Sequence, residues 1–189
     1  MTATSPFILG IGGTVSAGGS TEQALAMALT SAQQLGAQTL LFGGADLVRL
    51  PHYLTPGAMD VPEARALVDS VRRADGIVIA SPGYHGSISG LVKNAIDYVE
   101  ETAKDSRAYL DGVPVGLIVT AYGWQATGST LAALRSIVHA LRGWPTPLGA
   151  AVNSSGGLFS DGKCVDAAVC EQLALVGRQV HDFARLRCL

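Results

Sequence analysis

Charge is scarce in this chain. Only 15% of its 189 residues are charged, and of 13 basic residues only Lys93, Lys104 and Lys163 are lysines. Basic residues stand side by side only at Arg72-Arg73, so the run of phosphate contacts that nucleic acid requires is missing. The net charge is −2 and the pI near 6.0; no nucleic acid partner is expected. Cysteine is rare as well. Cys164, Cys170 and Cys188 form no C-x-x-C pair, and an odd, unpatterned count fits a reducing compartment without disulfides. All three are expected to be inert thiols. The cysteines and the four histidines show no metal-ligand spacing. No apolar run approaches the roughly 18 residues of a membrane span, and no basic-then-apolar leader opens the chain. A cytoplasmic protein with no membrane partner is expected. What the chain has in quantity is apolar residues (48%, mean hydropathy +0.32) and 23 glycines. That hydrophobicity excludes disorder, and the glycines follow no G-X-Y period. A chain of this size buries about 70% of its unfolded surface, so one domain over residues 1–189 is expected.

Short apolar runs alternate with helical periodicity. Phe7 to Ile11, Thr39 to Phe42, Gly76 to Ala80, Val115 to Ala121 and residues 148–152 read as strands. Between and after them, residues 21–35, 62–71, 90–101, 131–142 and 169–183 carry apolar residues at helical spacing. Ser20 with Gln23 three residues on reads as a capping box. Residues 45–61, with Pro51, Pro56 and Gly57, read as loop. Wholly apolar strands separated by helices predict an α/β fold, a parallel sheet covered on both faces. Five such units predict the doubly wound order 2-1-3-4-5, with ligands at the carboxyl ends of the strands. The loops over 12–20, 81–90 and 121–128 are therefore where a site is expected.

The first of these loops, Gly12 to Thr21, is rich in glycine and hydroxyls and runs into a helix. A helix N-terminus favours a phosphate through its dipole and free amides; the plainer reading is a glycine-rich turn. The dinucleotide pattern G-x-G-x-x-G fails because position 15 is valine. The P-loop pattern runs from Gly13 to Gly18 and then needs lysine, where Gly19 stands. What remains is an uncharged nest suited to a monophosphate, with Thr14, Ser16, Ser20 and Thr21 as candidate contacts.

In the second loop, Ser81-Pro82-Gly83-Tyr84-His85-Gly86, Pro82 is expected to stop the strand and Gly83 to permit a turn. The amides of residues 83–86 would then face a planar heterocycle, with Tyr84 at its edge or stacked on it. The nucleophile elbow G-x-S-x-G fails, since Ile88 lies between Gly86 and Gly90. From Pro82 to Asp97 the chain follows P-x-Y-[NH]-x-S-x-x-G-x-x-K-N-A-[IL]-D, matched at Pro82, Tyr84, His85, Ser87, Gly90, Lys93, Asn94, Ala95, Ile96 and Asp97. In this stretch it resembles the NADPH-dependent FMN reductase family of flavodoxin-like flavoproteins. The resemblance implies a flavodoxin-like three-layer sandwich, with residues 82–86 against the isoalloxazine ring. It places Lys93, Asn94 and Asp97 near a subunit interface. The family's first loop, G-S-x-R-x-x-S-x-[NST], is matched only by Gly13, Thr14 and Thr21; Ser16 replaces its arginine and Gly19 its serine.

The resemblance implies FMN and NADPH (or NADH) as cofactor and substrate, with hydride transfer from nicotinamide to flavin. Because the cofactors carry this chemistry, no catalytic side chain is assigned. His85 is either a donor to a flavin carbonyl or an ordinary loop residue. Ser81, Tyr122, Gly123 and Trp124 complete the candidate flavin contacts. His52, His139 and His181 read as surface or packing residues. Surplus apolar residues on helices 91–99 and 131–142 predict a homodimer or homotetramer, as does the family. The expected activity is an NAD(P)H-dependent FMN reductase that supplies a partner monooxygenase. The alternative keeps its FMN and reduces quinones, azo compounds or other organic acceptors. A flavodoxin-like electron carrier is a third reading, poorly matched by a net charge of −2.

Overall fold

The computed structural model describes residues 5–16, 18–160 and 162–187. Ala17 of the first loop and Cys188 lie outside the described residues. The elements run β1 (Phe7–Gly12), α1 (Ser20–Gln34), β2 (Gln38–Phe42), a short α2 (Gly44–Leu47) and α3 (Pro62–Arg73). Then follow β3 (Gly76–Tyr84), β4 (Ser87–Ile88), α4 (Gly90–Asp97), β5 (Pro114–Ala121), α5 (Trp124–Ala140) and β6 (Trp144–Asn153). A two-stranded ribbon, β7 (Phe159–Ser160) with β8 (Lys163–Cys164), leads into α6 (Ala167–Arg187).

The main sheet has the order β2-β1-β3-β5-β6, every pair parallel, with β4 attached antiparallel to β3. Counting parallel strands alone, this is the expected 2-1-3-4-5. Strand residues alternate between two cores, as the pleat requires. Leu9, Ile11, Ile77, Ile79, Leu117 and Val119 face α3, α4 and α5. Ile8, Val78, Ala80, Ile118, Ala150 and Val152 face α1 and α6. On that second face Gly177 lets α6 approach α1, since a Cβ there would strike the Ala28 carbonyl.

The expected loop over 45–61 contains α2 and a turn of 3-10 helix, α4 ends at Asp97 rather than near 101, and four further boundaries differ for a physical reason. Pro82 does not end β3; it pairs in register with Thr120. The β1–β3 ladder stops at Ala80, so beyond it β3 is paired on one side only, and a proline is tolerated there. The strand then turns back through His85 (φ 52°) and Gly86 (φ 83°). Positive φ at both central residues is the two-residue hairpin turn that matches strand twist. Next, α5 starts at Trp124, well before the Leu131 stripe, because its first turns are built of small residues without an apolar period. The cap of α1 is Gly19 and no side chain bonds to it; Ser20 is already helical, and Gln23 reaches back to the Gly18 carbonyl (2.5 Å). Lastly, β6 begins at Trp144 rather than at 148 and includes Pro145 and Pro147. It is an edge strand, the position where proline costs least. The Arg135 guanidinium donates to the Thr146 and Pro147 carbonyls (3.3 and 3.0 Å), and Gln179 accepts from the Leu148 amide (3.0 Å).

Candidate flavin site

The carboxyl ends of β1, β3 and β5 open into a cleft of about 430 Å³, within the usual range of small-molecule sites. Its walls are Thr14, Ser20, Thr21, the run Pro82 to His85, Thr120, Ala121, Tyr122, Ala126 and Ser154. None of these is an aspartate, glutamate, lysine or arginine. Positive potential comes instead from backbone. Two helices, α1 and α5, begin at its walls, capped by Gly19 and Gly123, with no side-chain cap on either. The amides of their first turns are thus left to solvent or ligand, and the helix dipoles favour an anion there.

Of the expected contacts, Thr14, Ser20, Thr21, Pro82, Gly83, Tyr84, His85 and Tyr122 line this cleft. Their hydroxyls are not equally available. Thr21 is buried, and its Oγ1 shares a hydrogen bond of 2.6 Å with Thr120 Oγ1, tying α1 to β5. Thr14 donates to the Ser16 carbonyl (3.2 Å). Ser20, Ser154, Tyr84 and Tyr122 are the wall residues whose hydroxyls have no partner among the described residues, and of these Ser20 alone stands at the start of α1. Behind the loop, the Glu22 carboxylate accepts from the Gly44 amide (2.8 Å).

Ser16, Ser81, Gly86, Gly123 and Trp124 stand apart from the cleft walls. Ser16 is exposed on the loop. Ser81 is fully buried; it accepts from the Ser89 amide (3.0 Å) and donates to the Pro82 carbonyl (2.9 Å). Ser89 in turn caps α4 by accepting from the Val92 amide (3.2 Å). Ser81 therefore braces the strand end against α4. Trp124 opens α5 and is 70% exposed; on the cleft itself Tyr122 (79%) and Tyr84 (53%) leave their rings open to solvent. In a chain with 6% aromatics, two exposed rings on one cleft mark a place where a planar partner would bury apolar surface.

Thr120, Ala121, Ala126 and Ser154 line the cleft without having been singled out in the sequence. A fifth residue, Asn153, organises it from behind. Its Oδ1 accepts from the amides of Gly123 (3.0 Å) and Ser155 (3.1 Å), joining the loops after β5 and β6. In sequence this Asn was only the start of an N-S-S triplet. Its position at the last residue of a strand was the available signal. Asn153→Ala is expected to lower stability by about 1–3 kcal/mol, since it strands two amides, and to loosen the Tyr122 loop. Thermal unfolding and the temperature dependence of Tyr122 amide exchange check this. An unchanged midpoint would show that the bridge is redundant.

A second cavity, of about 440 Å³, lies at the amino ends of β5 and β6 among Trp144, Pro145, Pro147, Phe183 and Leu186. It is almost wholly apolar and lies at the opposite end of the sheet from the place where doubly wound proteins bind ligands.

An uncharged cleft between two helix N-termini, at the carboxyl ends of a five-stranded doubly wound sheet, defines an α/β protein of the flavodoxin-like class. The sequence profile of the NADPH-dependent FMN reductases matches residues 6–157, and the chain belongs to that family. It is 38% identical over 109 residues to a protein of Staphylococcus saprophyticus named FMN-dependent NADPH-azoreductase, covering 54% of each chain. A protein of the same name from Staphylococcus haemolyticus is 37% identical over 87 residues, 46% of this chain and 43% of its own. The matched stretch thus spans about half the length of these curated relatives. Among solved structures, the flavoenzyme NAD(P)H:(acceptor) oxidoreductase of Paracoccus denitrificans superposes with a TM-score of 0.73 at 20% identity, over 95% of this chain and 97% of that one. That likeness is one of fold.

Proposed function

We propose that this protein is an NAD(P)H-dependent flavin reductase that takes FMN as an exchangeable substrate and passes reduced flavin to a partner monooxygenase. The observation that carries the exchange is the phosphate end of the cleft. It offers the Ser20 hydroxyl and helix amides, with no arginine or lysine among its wall residues. Charge-assisted contacts are roughly twice as strong as neutral ones, so a site without them releases its phosphate sooner.

The residues fit a flavin. A cleft of this volume, hydroxyls and free amides at one end, and rings at the mouth match a phosphate, a polyol and a planar ring system. Ser20 and the first amides of α1 would hold the phosphate. The hairpin over 83–86 would lie along the ring edge, with the amides of His85 and Gly86 outside the ladder that Gly83 and Tyr84 make with β4. Tyr84 and Tyr122 would shield the ring from water. When bound, the flavin supplies the redox chemistry, accepting a hydride from nicotinamide. The chain's part is to hold the two rings together and exclude solvent.

The test is NAD(P)H oxidation by the purified protein with and without added FMN, after gel filtration. Oxidation that needs added flavin supports the proposal. A yellow protein that keeps its flavin and reduces azo dyes unaided supports the second reading, an FMN-retaining reductase of organic acceptors. That reading is favoured by the names of the curated relatives and by the open aromatic mouth.

We further infer a homo-oligomer. Leu54 is 79% exposed beside a groove with Ile96, Ile137 and Leu141 on its walls. The adjoining Tyr53 hydroxyl donates to Glu101 (2.9 Å), and burial with that carboxylate pushes it up to about 12, so it remains a donor at neutral pH. A purely monomeric sedimentation profile at micromolar concentration would remove the inference. The nicotinamide substrate supports a cytoplasmic location, and cell fractionation checks it.

A further inference from the structure

Two cysteines come together where the ribbon that follows the cleft runs into α6. Cys164 ends β8, and Cys170 lies in the first turns of α6. Asp166 folds the chain back between them. Its carboxylate accepts from the amides of Ala168 (2.9 Å) and Val169 (3.2 Å), capping the helix. Its carbonyl accepts from the Cys170 amide (2.9 Å) and from the Cys164 thiol (3.4 Å). The Cys170 sulfur then sits 3.7 Å from the Cys164 carbonyl oxygen. Both thiols are half-buried and free, so a small oxidant reaches them, and neither belongs to the cleft. The expectation of inert, scattered thiols treated 164 and 170 as distant; the Asp166 cap makes them neighbours.

We propose that Cys164 and Cys170 are a reversible disulfide site that responds to hydroperoxides, Cys164 attacking and Cys170 resolving. The division of roles follows the surroundings. Hydrogen bonding to the Cys164 thiol, followed by burial, pushes Cys170 up to about 11, so it keeps its proton at neutral pH. Cys164 lies on the ribbon between the exposed Lys163 and Val165, where a small oxidant approaches it from solvent. In the first step the Cys164 sulfur attacks one peroxide oxygen. The O–O bond breaks, a sulfenic acid forms, and hydroxide leaves to become water. In the second step the Cys170 sulfur attacks the Cys164 sulfur. The S–S bond forms, the S–O bond breaks, and the hydroxyl leaves as water with the Cys170 proton. Two thiols are oxidised and one hydrogen peroxide is reduced to two waters. A thiol reductant reverses the bond.

The closed loop is short, so its entropic effect on the unfolded chain is smaller than that of a long one. The effect is local: the strap that leaves the cleft at Ser154 becomes covalently tied to α6. This inference does not depend on the flavin reading.

The experiment uses the reduced full chain carrying Cys188→Ser, treated with hydrogen peroxide and analysed by intact mass. Cleavage before Asp166 then separates the two cysteines. Expected are a mass lower by about 2 Da, fragments that stay joined until dithiothreitol is added, and a rate independent of protein concentration. Cys170→Ser is expected to accumulate a dimedone-reactive sulfenic acid at position 164. The proposal is overturned if both thiols remain open to alkylation after peroxide. It is equally overturned if bridges form between molecules, or if Cys164→Ser leaves Cys170 reacting at the wild-type rate.

Discussion

Ser16→Arg is expected to tighten FMN binding by roughly tenfold or more and to leave riboflavin binding unchanged. Position 16 is exposed on the loop that precedes α1, so a long side chain meets no steric obstacle. Its guanidinium would add a charge-assisted, bidentate contact to a phosphate held at the helix amides. Hydrogen bonds to charged groups contribute about 1.5–3 kcal/mol, and each 1.4 kcal/mol is about tenfold in affinity. Riboflavin lacks the phosphate and serves as the internal control. Titration of flavin fluorescence reads both constants, and the FMN gain should shrink as salt is raised. Equal tightening of both flavins would place the phosphate elsewhere. In turnover the variant should hold its flavin through gel filtration and pass less of it on.

The second large effect is expected at Gly83. This glycine lies where β3 passes closest to α5. A Cβ there would stand 2.8 Å from Thr130 Oγ1 and 3.0 Å from the Ala121 Cβ. Thr130 is itself fixed, buried and donating to the Ser87 carbonyl (3.3 Å). Gly83→Val therefore has to push the hairpin away from the helix. Overpacking of this kind costs about 1–3 kcal/mol. Because the hairpin is a wall of the cleft, flavin-dependent NAD(P)H oxidation should fall by more than about tenfold, a loss equivalent to roughly 1.4 kcal/mol or more. Gly83→Ala should lie between the two. Gly90→Ala is the control: its Cβ would meet nothing within 4 Å, and a stability change within about 0.5 kcal/mol is expected. Wild-type activity in Gly83→Val would separate the hairpin from the reaction.

Strand order was readable because the central strands are apolar on both faces and most of the helices are striped, so period sorted them. The beginning of α5 was not readable. Ala126, Thr127, Gly128, Ser129 and Thr130 form no apolar stripe, and the helix persists there because Thr127 and Thr130 are buried against the sheet end. Pro82 misled for a related reason: whether proline ends a strand depends on a neighbouring strand, which no local pattern records. At the site, glycines and hydroxyls announced the cleft, but which hydroxyls face it is a matter of pairing across the fold. Thr21 and Thr120 are 99 positions apart, and Asn153 acts on a loop 30 positions away. The Cys164–Cys170 contact was hidden by a cap, Asp166, whose effect appears only when α6 is known to start beside it.

The start of β6 has a consequence for the molecule among its own copies. An uncovered sheet margin invites a foreign strand to zip alongside it. Here Pro145 and Pro147 offer no amide to such a strand. The carbonyls of Thr146 and Pro147 are already occupied by Arg135, and the Leu148 amide by Gln179. Between Pro145 and Leu148 a visiting chain would find few donors or acceptors left to exchange. At the β6 margin the sheet ends chemically as well as geometrically. Crowded copies of the protein are hindered from growing a shared ribbon from that stretch.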